Sequence, residues 1–280
     1  MTAPAWRRYT GRVAWASLAL AAAVFLAQIA LVLAGARGAL SAPWGFALAT
    51  VLAYLAFTPM HEAAHGNLSG AARGGHPLDA AVGWAMALVL YAPYPAFRTL
   101  HLRHHGNTND PARDPDHWVA RATPLAVALR CWTIMPHYHV HYLRLEPSAL
   151  RSPRERQVVV ATMVALGALL VAAALAGHFW TILLYWLGPA WAASGLLALA
   201  FDYLPHAPHE ARGRYVDTVT RPGRALEVLL LGQNYHGVHH LYPRVPFFRY
   251  RAVFEQVQDE MIARGAPIKA SPAGQRATAP

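Results

Sequence analysis

Four long stretches without a charged residue set the strongest limit on how this chain can fold. They cover residues 13–33, 43–60, 157–177 and 181–201. A helix of about 20 mostly apolar residues is long enough to cross the hydrocarbon core of a bilayer. The composition agrees, since 55% of the residues are hydrophobic and 14% are charged, against about 45–50% and about 25% in soluble domains. The sequence therefore predicts an all-α, polytopic membrane protein with four transmembrane helices.

The first apolar run has one alternative interpretation. Arg7, Arg8 and Arg12 precede it, and an Ala-rich stretch lies near Ser41, so a cleaved signal peptide is conceivable. The apolar part of a signal peptide is about 7–15 residues long, which is shorter than this run. We therefore predict an uncleaved first helix. A shorter apolar stretch, residues 80–92, is predicted to be an interfacial or re-entrant helix.

Lysine and arginine are distributed unevenly around the four runs. Three precede the first run, Arg37 lies in the link to the second, ten fall within residues 61–156 and ten follow Asp202. The positive-inside rule then predicts two hairpins with a histidine-rich cap in the cytoplasm, in a bacterial inner membrane. The net charge of +10 is explained by this sidedness, without a nucleic-acid partner. We predict one domain over residues 1–264 and a disordered tail over 265–280.

Eight histidines fall into three clusters, spaced His-x-x-x-His, His-x-x-His-His and again His-x-x-His-His. They are His61, His65, His101, His104, His105, His236, His239 and His240. Positions i, i+3 and i+4 share one face of a helix, so each His-x-x-His-His copy is expected to direct three imidazoles to one point. Chance grouping of the sixteen histidines is the alternative, but two identical patterns and a third pair argue against it. We interpret the clusters as metal-binding boxes.

Eight imidazoles exceed what one metal ion needs. A catalytic zinc takes three protein ligands and a structural zinc four, whereas two ions with about four nitrogen ligands each use the whole set. Imidazole suits zinc, copper, iron and nickel. The single cysteine, Cys131, excludes a Cys-based site. A pair of iron ions can use O2 to attack an unactivated C–H bond, which makes an oxidative enzyme the leading hypothesis.

The boxes, the paired apolar hairpins and their order resemble the membrane fatty acid desaturase and hydroxylase superfamily, over roughly residues 13–250. The resemblance implies a centre of two Fe ions held by nine histidines. The ninth ligand lies between the last helix and the final box, which is His206 in this chain. The resemblance also implies O2 as co-substrate, an apolar lipid as substrate and an external electron donor such as ferredoxin.

Short segments beside the boxes resemble the desaturase-like β-carotene 3-hydroxylases more narrowly. These are residues 109–111, 114–118, 201–206, 232–236 and 241–243. They favour hydroxylation of the β-ionone ring of carotenoids. A fatty-acyl desaturase is the alternative within the superfamily, because it shares the iron site and differs only in how the reaction ends.

Four aspartates near the boxes are candidates for orienting the metal ligands. They are Asp110, Asp114, Asp116 and Asp202. A metal-bound histidine usually donates its other N–H to a carboxylate or similar acceptor, although Asp and Pro in residues 109–116 are also typical of turns. His137, His139 and His141 alternate at i, i+2 and i+4, a spacing that does not converge on a helix. We predict that they are surface residues.

Two functions from other classes also fit parts of the sequence. Residues 61–65 satisfy H-E-x-x-H, in which Glu62 would be the general base of a membrane zinc protease. That function leaves both His-x-x-His-His clusters unused. A metal or haem transporter is the non-enzymatic alternative, but a transport path requires ionisable residues inside the membrane, and the four runs have none that are charged.

Overall fold

The computed structural model describes residues 5–71, 75–146 and 153–269. Within these ranges no β-strand occurs. The helices, numbered here in chain order, are α1 (Trp15–Ala36), α2 (Ala42–His65), α3 (Pro77–Val89), α4 (Tyr94–Asn107), α5 (Pro124–Trp132), α6 (Ile134–Arg144), α7 (Pro153–Leu175), α8 (Phe179–Tyr203), α9 (Arg224–Leu229), α10 (His236–Leu241) and α11 (Tyr250–Ala263).

Helices α1, α2, α7 and α8 are each long and apolar enough to cross a membrane. Their ends lie within five residues of the four uncharged runs, and the predicted all-α fold with four spanning helices is confirmed. Helix α2 continues through the first box and stops at Gly66, whose φ of 70° closes the helix in the left-handed region that glycine tolerates. The first box is therefore a continuation of a spanning helix.

Helices α3 and α4 meet at a bend of 102°, as a broken span or a re-entrant loop does. Helix α3 covers most of the stretch predicted to be interfacial or re-entrant. The turn between them includes Tyr91, with a φ of 55°, and Pro93 immediately precedes α4. Because of this bend, α4 turns away from the direction of α3 and carries the second box toward the first.

A proline in α8 shows how the spanning helices are tied together. Pro189 has no N–H, so the carbonyl of Tyr185, four residues earlier, cannot receive its usual helical bond. Gln28 of α1 supplies the missing donor, with its Nε2 2.8 Å from the Tyr185 oxygen. The helix is π-helical at Leu183–Leu187 and again at Ala198–Tyr203, and the second π turn lies beside the boxes.

The ends of the spanning helices near the boxes are joined to the same cap. Ala14, just before α1, donates its backbone N–H to Leu68 at 3.0 Å. Helix α10, with the third box, packs on α11 in one buried cluster. Residues 265–269 of the predicted tail belong to this cap, because Ile268 pairs with Thr220. The rest of that tail, residues 270–280, lies outside the described residues.

Candidate metal centre

The structure brings the three boxes and His206 together in two adjacent groups. Within each group the ligand atoms lie within 4.8 Å of one another. We call them the five-histidine group and the four-histidine group. The first contains His61, His65, His101, His105 and His239, and the second contains His104, His206, His236 and His240.

The two groups divide each His-x-x-His-His box in the same way. In each box the two histidines four residues apart belong to one group, and the i+3 histidine belongs to the other. On α4, His101 and His105 lie in the five-histidine group and His104 in the four-histidine group. On α10, His236 and His240 lie in the four-histidine group and His239 in the five-histidine group. The expectation that each box directs three imidazoles to one point is therefore wrong. Neighbouring positions i+3 and i+4 diverge by about 100° around a helix of 3.6 residues per turn, which is enough to aim at two points. This exchange interlocks the second and third boxes.

The Nε2 atoms of the nine histidines point inward and lie very close together. His61 and His239 approach to 3.0 Å, His65 and His101 to 2.7 Å, and His239 and His105 to 2.8 Å. In the other group, His236 Nε2 lies 3.1 Å from both His206 Nε2 and His240 Nε2.

Hydrogen bonds among the rings do not account for this geometry. One ring nitrogen offers either a single proton or a single lone pair, so Nε2 of His236 cannot bond both neighbours, and neither can Nε2 of His239. A metal ion between them satisfies several lone pairs at once. The donor set thus fits metal ions bound through Nε2, and imidazole without thiolate is a set that iron accepts.

The protonation states also suit a cation. Burial lowers the pKa of His236, His239 and His240 well below the ordinary histidine value, so these rings are neutral and keep a lone pair for a metal. Burial opposes protonation of His104 too, but the carboxylates of Asp116 and Asp114 outweigh it and raise its pKa to about 10. Without a metal His104 is therefore protonated, and a metal ion bound at its Nε2 would take the place of that proton while Asp114 and Asp116 stay beside Nδ1.

Two of the four candidate aspartates contact a box histidine. Nδ1 of His104 lies 2.9 Å from Asp114 Oδ1 and 3.2 Å from Asp116 Oδ2. Asp202 lies one step farther out, because the Tyr138 hydroxyl contacts Asp116 at 2.5 Å and Asp202 at 3.3 Å. Asp110 instead closes a turn and pairs with Arg212 at 3.1 Å, which makes it a turn residue and not a partner of a box histidine.

Sequence reasoning missed three further partners of the ligand rings. The Tyr250 hydroxyl lies 2.9 Å from Nδ1 of His239, and the Thr108 hydroxyl lies 3.4 Å from Nδ1 of His240. Nδ1 of His206 donates to the backbone oxygen of Asp217 at 3.1 Å. Helical spacing could have indicated Thr108, which is four residues after His104. Tyr250 and Asp217 carried no signal, since only tertiary packing brings them to the boxes.

Glu62 does not take the position that a zinc protease requires. Its side chain is fully buried and accepts a hydrogen bond from Asn67 Nδ2 at 3.3 Å. Asn67 also donates to the Pro243 carbonyl at 2.9 Å. Through Asn67, Glu62 is linked to the segment after the third box. It is not part of either histidine group. This placement argues against the H-E-x-x-H interpretation.

The alternating histidines of α6 are half-buried, so the prediction that they lie on the surface is wrong for the two with clear packing partners. His137 stacks on Trp118 with ring centroids 4.1 Å apart, and burial lowers its pKa to about 4. His139 lines an apolar cavity to which His101 also contributes. None of the three joins a histidine group among the described residues.

That cavity lies between α2, α4, α6 and α8, directly beside the five-histidine group. Asp116, Tyr138 and Asp202 form a polar strip in its wall, joined by the Tyr138 hydroxyl, and His101 lines the same cavity. The rest of the wall is mainly apolar and includes Phe57, Met60, Phe97, Leu100, Met135 and Leu197. The cavity thus offers an apolar molecule a place within reach of the imidazoles.

Comparison with known proteins agrees with this geometry. The profile of the fatty acid desaturase family matches residues 37–272. The chain belongs to the fatty acid desaturase family. It is therefore an integral membrane protein and an oxidoreductase of the desaturase or hydroxylase type, and the family together with the histidine groups indicates iron as its metal. No curated protein matched the sequence.

Proposed function

We propose that this desaturase-family protein hydroxylates the β-ionone ring of carotenoids, using O2 and two Fe ions. The nine histidines would hold one ion in each group. Bound there, reduced iron supplies the capacity to activate O2 and to remove hydrogen from an unactivated carbon. The observation that supports the proposal is the apolar cavity with His101 in its lining, because a substrate bound there would hold a C–H bond at a fixed distance from the imidazoles.

The residues around the cavity have separate roles in this proposal. Phe57, Phe97 and Leu100 bind an apolar ring and exclude water, which strengthens electrostatic interactions within the site. Phe97 also stacks on His101 with ring centroids 5.5 Å apart, so the same side chain borders both substrate and ligand. Asp116 and Tyr138 also line the cavity, and in this proposal they would form hydrogen bonds with the new hydroxyl.

The carotenoid itself is proposed on the segments that resemble β-carotene 3-hydroxylases, residues 109–118, 201–206 and 232–236. The match to the fatty acid desaturase family favours an acyl chain as the second candidate. Both substrates are long and apolar, and the histidine groups do not discriminate between them.

Expression in a bacterial host that makes β-carotene and has its own ferredoxin tests the substrate. We expect hydroxylated β-carotene to accumulate through a monohydroxy intermediate, and to vanish in the His239→Ala variant. Pigments and fatty acids are analysed from the same cells. New double bonds in the acyl chains with unchanged pigment would replace the carotenoid proposal by the desaturase one.

We also propose that both histidine groups face the cytoplasm of a bacterial inner membrane, as the arginine distribution favours. After Cys131→Ser, single cysteines near Arg37 and Phe179 should react with an impermeant thiol reagent from outside intact cells. Cysteines near Gly66 and Gly106 should react only after the cells are opened. Labelling of the last two from outside would reverse the proposed orientation.

A further inference from the structure

Another cavity lies where the first spanning helix meets the cap, away from the histidine groups. Its lining comes from both ends of the chain, namely the segment just before α1 and the segment just before α11, and its volume is about 260 Å³. The polar side chains of this lining are Arg8, Tyr9, Arg12 and Arg249. The rest of the lining is apolar, and it shares no residue with the cavity beside His101.

Every polar side chain in this lining can donate a hydrogen bond. A guanidinium group only donates. The Tyr9 oxygen accepts from Arg8 Nη2 at 2.9 Å and from Gln256 Nε2 at 3.0 Å, which leaves the Tyr9 O–H free to donate. A ligand that satisfies this lining must therefore be rich in acceptors.

The positive charge of the cavity is not balanced by carboxylates. No acidic side chain belongs to the lining. Within the described ranges, none of its three arginines lies within salt-bridge distance of a carboxylate. On the adjoining helix α11, Glu255 lies 3.8 Å from Arg251, and Glu260 accepts a hydrogen bond from Tyr215 at 2.7 Å. The acceptor-rich ligand is therefore expected to be an anion.

The segment that carries two of these arginines is fixed to the cap by packing. Trp6 packs on Tyr242 with ring centroids 4.9 Å apart. A Cβ at Gly70, whose φ is 67°, would lie 2.6 Å from the backbone nitrogen of Arg12, so glycine allows this close approach. Sidedness of the membrane explains why arginines are numerous here. It does not explain why arginines from both ends of the chain surround one cavity.

The cavity lies at the boundary of the membrane-spanning part. Val13, in its lining, is followed after one residue by the spanning helix α1. Val13, Trp15 and Phe248 are all exposed, and Trp15 is exposed to 74%. Tryptophan is enriched at the level of lipid headgroups. An anion bound to these arginines would thus lie beside acyl chains, which favours an amphiphilic anion over a soluble one.

We propose that this cavity binds the headgroup of an anionic phospholipid. Arg12, Arg249 and the Tyr9 O–H donate to the phosphate, with which arginine forms strong charge-assisted hydrogen bonds. The acyl chains lie along the exposed apolar side chains at the start of α1. Basic pockets beside spanning helices are typical sites for such headgroups. The site does not depend on the substrate proposed for the histidine groups.

The test uses the purified full chain in detergent micelles that contain equal amounts of phosphatidylglycerol and phosphatidylcholine with identical acyl chains. Native mass spectrometry counts the lipids that each chain retains. The site variant is Arg12→Gln with Arg249→Gln. The matched control is Arg113→Gln with Arg121→Gln, which removes the same charge from exposed positions that do not line the cavity. Circular dichroism checks that both variants keep their helices.

We expect the unmodified protein and the control to retain one phosphatidylglycerol per chain in preference to phosphatidylcholine. The site variant should bind phosphatidylglycerol about tenfold more weakly, because each arginine near an anionic lipid contributes to binding. Arg12→Gln alone should lose less. Equal retention of the two lipids by the unmodified protein, or equal losses in the site variant and the control, would overturn the proposal. Displacement of the lipid by inorganic phosphate would also overturn it, since the site would then take a soluble anion.

Discussion

The two histidine groups present the same donor atoms but differ in what stands behind them. In the four-histidine group, Nδ1 of His104 faces two carboxylates, and Nδ1 of His206 donates to a backbone carbonyl. In the five-histidine group, Nδ1 of His239 has only the neutral Tyr250 hydroxyl. Nδ1 of His61 here and Nδ1 of His236 in the four-histidine group are both buried without a hydrogen-bond partner in the part of the chain that the structure describes. The contrast between the groups therefore rests on the two carboxylates behind His104.

The two groups therefore differ mainly in the charge behind their ligand rings, which is carboxylate at His104 and neutral hydroxyl at His239. A carboxylate behind an imidazole makes the ring more basic and fixes its tautomer, and removing such a partner typically lowers metal affinity 10–100-fold. With one ion in each group, as proposed above, we infer that the two ions would not be equivalent. The ion in the four-histidine group should be held more tightly, and the ion in the five-histidine group, beside the apolar cavity, should be released first.

The largest effect is expected from removing one ligand of either group. His104→Ala and His239→Ala should each abolish activity and lower iron from about two to about one per chain, because each leaves its group a nitrogen short. Iron is measured by mass spectrometry after anaerobic purification, and membrane insertion by fractionation. His76→Ala, at the exposed start of α3, is the control. Full iron and activity in both ligand variants would make the boxes structural.

The sequence predicts those features of the two groups that depend on neighbouring residues, and it does not predict those that depend on contacts between distant helices. Uncharged runs predicted the four spanning helices, and helical spacing predicted which histidines lie near one another, because both are local properties. His206 came only from the resemblance to the superfamily. The exchange of His104 and His239 between groups depends on how α4 faces α10, which local spacing does not determine.

The second prediction tests the carboxylate behind His104. Asp114→Asn keeps the size of the side chain but removes its charge, so we expect 10–100-fold lower iron affinity in the four-histidine group. In the unmodified protein we expect iron release to a chelator to have a fast phase from the five-histidine group and a slow phase from the four-histidine group. In Asp114→Asn the slow phase should be lost. Asp110→Asn, in the same loop but paired with Arg212, is the control and should leave release unchanged. Identical release curves for the two variants would contradict the proposed inequivalence.

The third prediction concerns packing around the boxes and compares two glycines, Gly237 and Gly106. A Cβ at Gly237, inside the third box, would lie 2.5 Å from Thr220 Oγ1 and 3.1 Å from Met261 Cε, whereas a Cβ at Gly106, after the second box, meets nothing within 4 Å. Gly237→Ala should cost about 1–3 kcal/mol by overpacking. Gly106→Ala should be neutral or stabilising by up to about 1 kcal/mol, because alanine is the better helix former. Thermal unfolding in detergent compares them, and equal melting temperatures would contradict the packing of α10.

The smallest effect is expected at Tyr250, whose hydroxyl contacts a ligand ring of the five-histidine group. With Nε2 of His239 on a metal, Nδ1 carries the proton and donates it to the Tyr250 oxygen, 2.9 Å away. Tyr250→Phe removes that acceptor from a fully buried position. A neutral hydrogen bond is worth about 1 kcal/mol net, so iron affinity in the five-histidine group should fall about fivefold, less than for Asp114→Asn. In the chelator assay the fast phase should accelerate while the slow phase stays fixed.

Tyr242→Phe is the control, since that ring packs on Trp6 and lies in the same cluster. If Tyr250→Phe changed the slow phase instead, the assignment of the weaker ion to the five-histidine group would be wrong.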